Sequence, residues 1–196
     1  MVSEFTGAQI RIGVAIPVPE PYGSVLQHAR ARFGDPLAAE TPPHVTLLGP
    51  TVVEPAELAE ISTHLARVST STGPFVIHLR GTGSFRPISP VVFMQVVQGS
   101  AECERLESTV RSGPLSQDLR FGYHPHVTIA HQVPDKALDR AFAELANFEA
   151  RFVVSGFQFY EHGDGCGWRP VRDYSLTGSD RRGRTAAARA RERHGS

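Results

Sequence analysis

Apolar and polar residues alternate along this chain with two different periods. Every second residue between Gln9 and Pro17 is aliphatic, which is typical of a half-buried strand. Between Pro55 and Val68 the apolar residues recur every three or four positions, which is typical of an amphipathic helix. The two periods predict strands at residues 9–17, 44–48, 75–79, 91–97, 125–130, 152–160 and 171–176, and helices at residues 24–33, 55–68, 101–110 and 135–148.

This order of elements predicts an α+β fold. The second half of the chain loosely repeats the first, because each half has a histidine-bearing strand, then an amphipathic helix, then further strands. We therefore expect a weak internal repeat with a cleft on a pseudo-twofold axis.

A repeated pentapeptide is the most informative motif. The segment 43–47, Pro-His-Val-Thr-Leu, recurs 82 residues later as Pro-His-Val-Thr-Ile at 125–129. Side chains alternate across a strand, so each histidine shares one face with the threonine two positions on, while the aliphatic residues face the other way. If the halves pair about the pseudo-twofold, four polar side chains meet in one cleft: His44, Thr46, His126 and Thr128.

Two imidazoles and two hydroxyls suit chemistry on a phosphodiester. One neutral histidine can take a proton from water or a hydroxyl, and the other, when protonated, can donate one to the leaving oxygen. Threonine hydroxyls can donate hydrogen bonds to the non-bridging phosphate oxygens, and this arrangement needs no metal ion. Either copy alone would be read as an ordinary surface or core pair, but the matched pair favours catalysis.

These two strands resemble the 2H phosphoesterase superfamily, and its RNA 2′,5′-ligase-like and RNA cyclic phosphodiesterase branches in particular. The resemblance spans roughly residues 9–177 and includes Gly-Thr-Gly-Ser-Phe at 81–85 and Tyr-His-Pro-His at 123–126. It implies a bilobal fold with two antiparallel sheets and flanking helices around a central cleft. It also implies a catalytic pair at His44 and His126, with Thr46 and Thr128 as phosphate ligands. Several members have an arginine shortly after the second motif, where this chain has His131.

Four aromatic residues lie in turns or beside the motifs, where a nucleobase could stack on them, although core packing is the alternative for each. With His131, they form our predicted set of substrate-binding residues: Phe85, Tyr123, His131, Tyr160 and Trp168. Three arginines near turns could balance phosphate charge, with simple solvation as the alternative: Arg86, Arg169 and Arg172.

A metal site is the weaker interpretation of the histidines around the second motif. His124, His126 and His131 lie close in sequence, but no Asp, Glu or Cys stands at a supporting spacing. We therefore predict no metal ligand and no cofactor.

The zero formal net charge is the sum of two unlike segments. Residues 1–178 carry 14 basic and 18 acidic groups, whereas residues 179–196 carry six arginines and two acids. The segment 179–196 lacks large apolar residues, so we expect a single bilobal domain at 1–178 followed by an Arg-rich, disordered tail. The tail is either a solvated terminus or an arm that attracts RNA.

Cys103 and Cys166 form no disulfide framework, although a single bridge between them stays open, and they fit a reducing compartment. No apolar run approaches the roughly 18 residues that a membrane span needs. We expect a cytoplasmic monomer without membrane contact.

The sequence thus predicts a metal-independent phosphodiesterase that acts on 2′,3′-cyclic or 2′,5′-linked phosphodiesters of RNA ends or small nucleotides. Hydrolysis and 2′,5′-ligation are one step run in opposite directions, and we expect hydrolysis because water is abundant. The alternative is a non-catalytic module that binds a nucleotide or RNA end in the same cleft.

Overall fold

The structure is a computed structural model, and it describes residues 9–163 and 167–178. Within these ranges the strands are β1 (Ile10–Pro17), β2 (His44–Val53), β3 (Phe75–Ser84), β4 (Val91–Gln98), β5 (His126–His131), β6 (Glu149–Val154), β7 (Gly156–Gly163) and β8 (Gly167–Ser175). The α-helices are α1 (Tyr22–Phe33), α2 (Leu58–Ser71), α3 (Ser100–Val110) and α4 (Asp135–Glu144).

All strand pairs are antiparallel, and the strand order is β6-β3-β4-β5-β2-β1-β7-β8. The central strands β2 and β5 share a single residue pair, Val45 opposite Val127. We call β2-β1-β7-β8 the first lobe and β5-β4-β3-β6 the second lobe. The predicted α+β class is confirmed, and the two expected sheets are four-stranded halves that this one pair joins.

The helices cover the outer face of each half-sheet and exchange between lobes. Helices α2 and α3 pack against β8 and β2 of the first lobe, whereas α1 and α4 pack on the strands of the second. The predicted apolar stripe of α2 is buried through Ile61, Leu65 and Val68. Helix α1 follows a strand of the first lobe and packs on the second, and α3 follows a strand of the second lobe and packs on the first. The core lies between the helices and the sheet.

Several boundaries differ from those that the periodicity predicts, and β2 and β3 each extend five residues beyond their expected ends at 48 and 79. The single strand expected at 152–160 is two strands, β6 and β7, which break at Ser155. A Cβ on Gly156 would lie 2.6 Å from the Tyr174 carbonyl oxygen, so β7 begins in close contact with β8. The last helix ends at Glu144 instead of continuing to Phe148; a turn follows, in which the Phe148 N–H donates to the Leu145 carbonyl, and β6 begins at Glu149.

Some sequence-based expectations lie outside the described residues. They are the Arg-rich tail at 179–196 and the centre of the predicted turn, 164–166, which includes Cys166. The division into one domain and a tail therefore stays a prediction. Cys103 is a free, buried thiol. No helix in the described ranges is both long and apolar enough to span a bilayer.

Candidate active site

The two motif strands meet at the centre of the molecule. Val45 and Val127 are fully buried on the helix-covered face, and all four predicted catalytic residues lie half-buried on the other. In an antiparallel pair with Val45 opposite Val127, His44 lies across from Thr128 and Thr46 lies across from His126. The structure therefore brings the four side chains together, each histidine opposite the threonine of the other lobe.

Matched β-bulges follow the two motifs. Leu47 is the extra residue between the pairs Thr46–Ala15 and Leu48–Val14. Ile129, at the equivalent position, is the extra residue between the pairs that β5 makes with Phe93 and Val92. A bulge places two successive side chains on one side, and here both members of each pair, 47–48 and 129–130, are buried.

The second bulge determines where His131 lies. Without it, strict alternation from Thr128 would send His131 to the helix-covered face. With Ile129 as an extra residue, His131 pairs with Val91, two positions before Phe93, and returns to the face of His126. The predicted substrate-binding residue His131 is thus half-buried on the cleft side of the sheet.

Both catalytic candidates are held by the same backbone contact. The Nδ1 atom of His44 lies 2.7 Å from the Pro42 carbonyl oxygen, and Nδ1 of His126 lies 2.7 Å from the His124 carbonyl oxygen. A carbonyl oxygen only accepts, so each Nδ1 carries the proton. Each neutral ring therefore keeps its Nε2 lone pair free for a proton transfer.

The environment favours the neutral form of both rings. Burial lowers the pKa of His44 below 6.5; the bond to the Pro42 carbonyl opposes this, and the Arg30 guanidinium adds to it. Burial also lowers the pKa of His126; its bond to the His124 carbonyl opposes the effect, and the charges of His124 and His44 add to it. The two catalytic candidates are close enough to influence each other's protonation.

A pocket of about 210 Å³ opens beside His44 and Thr46, in the first lobe. Its floor is formed by small residues of β1, Gly13 and Ala15. Two predicted substrate-binding residues line it, Tyr160 and Trp168. The segment that leads into β2 supplies the remaining lining near the motif: Leu37, Thr41 and Pro42.

Hydrogen bonds and close contacts hold the aromatic side chains of this pocket. The Tyr160 hydroxyl donates to Gln158 Oε1 at 2.5 Å, and Gln158 donates to Asp173 at 2.7 Å. Burial, with Asp173 as a second cause, raises the pKa of Tyr160 to about 12. A Trp168 ring atom lies 3.2 Å from the place that a Cβ on Gly13 would take. A glycine at position 13 therefore leaves room for the indole.

Aromatic rings fill the corresponding position in the second lobe. Phe93 pairs with Thr128 as Ala15 pairs with Thr46, and its ring centroid lies 5.2 Å from that of His126. The predicted residue Phe85 meets the same imidazole edge-on at 4.9 Å. The cleft is thus asymmetric, open beside His44 and packed with aromatic rings beside His126.

Tyr123 connects the two lobes. Its hydroxyl donates to the Thr46 carbonyl oxygen at 2.9 Å, from the segment just before β5 to the backbone of β2. Burial is the main cause that raises the pKa of this phenol. Its ring packs against the core on the helix-covered side, near Cys103 and Glu107 of α3, which is the core packing given as the alternative for this residue, and only its hydroxyl contacts the motif backbone.

The three candidate arginines make contacts of their own. Arg86 donates to Asp139 at 2.8 Å, Arg169 pairs with Glu161 at 3.5 Å, and Arg172 donates to the Ser62 hydroxyl. The structure instead reveals a buried arginine near His44, Arg30, which sequence reasoning missed. In the part of the chain that the structure describes, no group of three or more His, Cys, Asp or Glu is placed to hold a metal ion.

Comparisons with known proteins agree with this architecture. A family model described as the 2'-5' RNA ligase superfamily matches residues 17–165. Two relatives whose names place them among the phosphoesterases, from Bacillus cytotoxicus and Bacillus thuringiensis strain Al Hakam, are each 29% identical over 152 residues, which is 78% of this chain and 83% of theirs.

Solved structures share the fold. Escherichia coli LigT gives a TM-score of 0.63 at 20% identity and covers 87% of this chain and 99% of its own. The protein TT0787 of Thermus thermophilus gives 0.63 at 23% identity and covers 86% and 99%.

Proposed function

Since this chain belongs to the 2'-5' RNA ligase superfamily, which confirms the resemblance of its motifs, we propose that it hydrolyses 2′,3′-cyclic or 2′,5′-linked phosphodiesters. The substrates in this proposal are RNA ends or small nucleotides, and the chemistry uses two histidines and no metal ion. One observation carries it: two imidazoles of the same tautomer, each with a free Nε2, lie across from two threonine hydroxyls.

The reaction needs one proton on the histidine pair. The neutral imidazole takes a proton from the attacking water, and the imidazolium gives its proton to the leaving oxygen, so the pair exchanges its protonation state during the step. Thr46 and Thr128 donate hydrogen bonds to the non-bridging oxygens, where charge builds up in the transition state. When a ribose 5′-hydroxyl takes the place of water, it attacks the 2′,3′-cyclic phosphate, the 3′ oxygen leaves with the proton of the acid, and a 2′,5′ linkage forms, which is ligation.

The asymmetry of the cleft supports a proposal for the two roles. The pocket beside His44 is smaller than the roughly 300–1,000 Å³ of common ligand sites, so it suits the nucleobase alone. With the base between Tyr160 and Trp168, the ribose oxygen that leaves is nearest to His44. In-line attack comes from the opposite side, so His44 is the acid and His126 the base.

Nucleotides are also the ligands named for a structural neighbour. The LigT structures are described as complexes with NADP+, 3'-AMP and ATP. We further propose that the present protein acts as a cytoplasmic monomer, and size-exclusion chromatography with light scattering tests the monomer.

The test is a substrate panel followed by phosphorus NMR with a chelator present. The panel contains 2′,3′-cyclic nucleotides, 2′,5′-oligonucleotides and ADP-ribose 1″,2″-cyclic phosphate. We expect turnover that is lost in both His44→Ala and His126→Ala and kept in His28→Ala, a matched change on the exposed face of α1. Turnover that survives either motif change would refute the acid–base assignment.

The second candidate, a non-catalytic module, gives a different result on the same panel. Retention of all four cleft side chains speaks against it. Nucleotide binding in the wild type without any turnover of the panel would favour it, and activity lost only to the chelator would favour a metal enzyme.

A further inference from the structure

A buried ion pair lies behind the segment that leads into β2. Arg30, in the last turn of α1, pairs with Asp35 at 3.1 Å, and their side chains are 5% and 0% exposed. The Arg30 Nη1 atom also donates to the Thr41 carbonyl oxygen at 2.5 Å. The second Asp35 oxygen accepts from the Leu37 N–H at 2.9 Å.

These contacts connect the pair to His44. Thr41 is bonded directly to Pro42, whose carbonyl oxygen accepts the His44 Nδ1–H. Leu37 and Thr41, which the pair holds at two points, also line the pocket. The orientation of one catalytic ring thus depends on a backbone segment that a single ion pair fixes.

Stability alone explains this pair poorly. The cost of removing two charges from water offsets most of their attraction, and well-packed apolar residues of similar volume often stabilise a fold as well as a buried ion pair or better. Here the remaining hydrogen bonds of the pair are satisfied by the segment that carries the pocket and the Pro42 carbonyl. The arrangement is therefore best explained by the geometry that it imposes.

We propose that Arg30 and Asp35 are positioning residues for His44, which fix the segment 35–43 so that the Pro42 carbonyl holds the imidazole with Nε2 towards the cleft. This inference rests on the proposed function for its kinetic consequences. The charged and titratable groups that act on His44 are Arg30 from α1 and His126 from β5. The Nδ1–H donates to the Pro42 carbonyl whether the ring is neutral or protonated, so Nε2 is the atom that gains or loses the catalytic proton.

The segment that leads into β5 provides a matched comparison. Arg111, just after α3, donates to the buried Glu107 at 2.6 Å and to the Gln117 carbonyl oxygen at 2.6 Å. Gln117 lies nine residues before His126, and the carbonyl that holds His126 belongs to the exposed His124. Breaking the Arg111–Glu107 pair therefore removes a comparable buried contact, but it does not reach the His124 peptide group that orients His126.

The experiment compares Arg30→Met, Arg30→Lys and Asp35→Asn with Glu107→Gln. Three quantities are measured in each: thermal stability, kcat and KM on a 2′,3′-cyclic nucleotide, and the ring tautomer of His44 by nitrogen-15 NMR at neutral pH. We expect Arg30→Met and Asp35→Asn to reduce kcat on the order of 100-fold with little change in KM, because a small misplacement of a catalytic group is that costly. Their Nδ1–H signal at His44 should be lost.

Glu107→Gln should keep both kcat and the His44 tautomer signal, whatever its effect on stability. Arg30→Lys keeps the buried charge but not the planar fork, so it should lose part of the tautomer signal and serves as the deciding variant if Arg30→Met does not fold. An unchanged His44 tautomer in a folded Arg30 variant overturns the inference. The NMR readout needs no turnover, so inactivity of the wild type would refute the proposed function and leave the positioning role testable.

Discussion

Tyr123→Phe tests how far catalysis depends on the alignment of the lobes. The change removes one hydroxyl, which donates to the Thr46 carbonyl oxygen at 2.9 Å, and leaves the ring in place. Since β2 and β5 share only the Val45–Val127 pair, this bond from the segment just before β5 is a second contact to the backbone of β2. We expect a loss of about 1 kcal/mol in the free energy of unfolding, the usual net value of one such bond.

The expected consequences follow from that figure. For a domain of this size, about 1 kcal/mol lowers Tm by roughly 2–4 °C. If the whole loss appeared in the equilibrium between aligned and misaligned lobes, kcat would fall by a factor of at most about 5. Differential scanning calorimetry measures the first quantity, and steady-state kinetics on a 2′,3′-cyclic nucleotide measures the second.

Tyr174→Phe is the matched control. The Tyr174 hydroxyl lies 3.2 Å from the Ser62 hydroxyl, on the helix-covered face, where it connects β8 to α2 within one lobe. This variant should show a similar decrease in Tm with unchanged kcat. Equal kcat in the two variants would refute the idea that the Tyr123 bond aligns the site.

Three further predictions follow from the cleft and from Cys103. The active form carries one proton on the histidine pair, and both pKa values are lowered from 6.5, so kcat/KM should peak below pH 6.5; a maximum above pH 7 would contradict this. Trp168→Ala should lower kcat/KM for a cyclic nucleotide about 10- to 100-fold, since stacking contributes ~1–3 kcal/mol, and leave turnover of a base-free ribose cyclic phosphate unchanged; equal losses would exclude stacking. Cys103 is fully buried and burial raises its pKa to about 12, so iodoacetamide at pH 8 should not label it in the folded protein, as mass spectrometry of its peptide would show.

The motif side chains were predictable because their signal is local and occurs twice. A strand that begins with His-x-Thr puts both groups on one face, and its repetition indicated that the faces meet. The bulges were not predictable, since Leu47–Leu48 and Ile129–Ala130 read as ordinary apolar runs. Only the register with β1 and β4 shows that they shift the alternation.

The pocket and the ion pair depend on contacts that sequence periodicity does not record. The pocket arises because Gly13 pairs with Tyr160, a partner far along the chain, and Gly13 inside a strand was its one available signal. Arg30 and Asp35 stand five residues apart at a helix end, where charged residues are normally solvated. Their burial follows from packing against the segment before β2.

Because β2 and β5 share a single pair, the distance between the two histidines depends on how the two lobes pack against each other. Each histidine is held by a carbonyl of its own lobe, and each lobe has its own four-stranded ladder. A small rotation about Val45–Val127 would change the distance between the two Nε2 atoms and keep the hydrogen bond from each Nδ1 to its carbonyl oxygen. Under the proposed function, substitutions in the outer helices alone would in this way change the preference between a compact cyclic ester and a wider linear one.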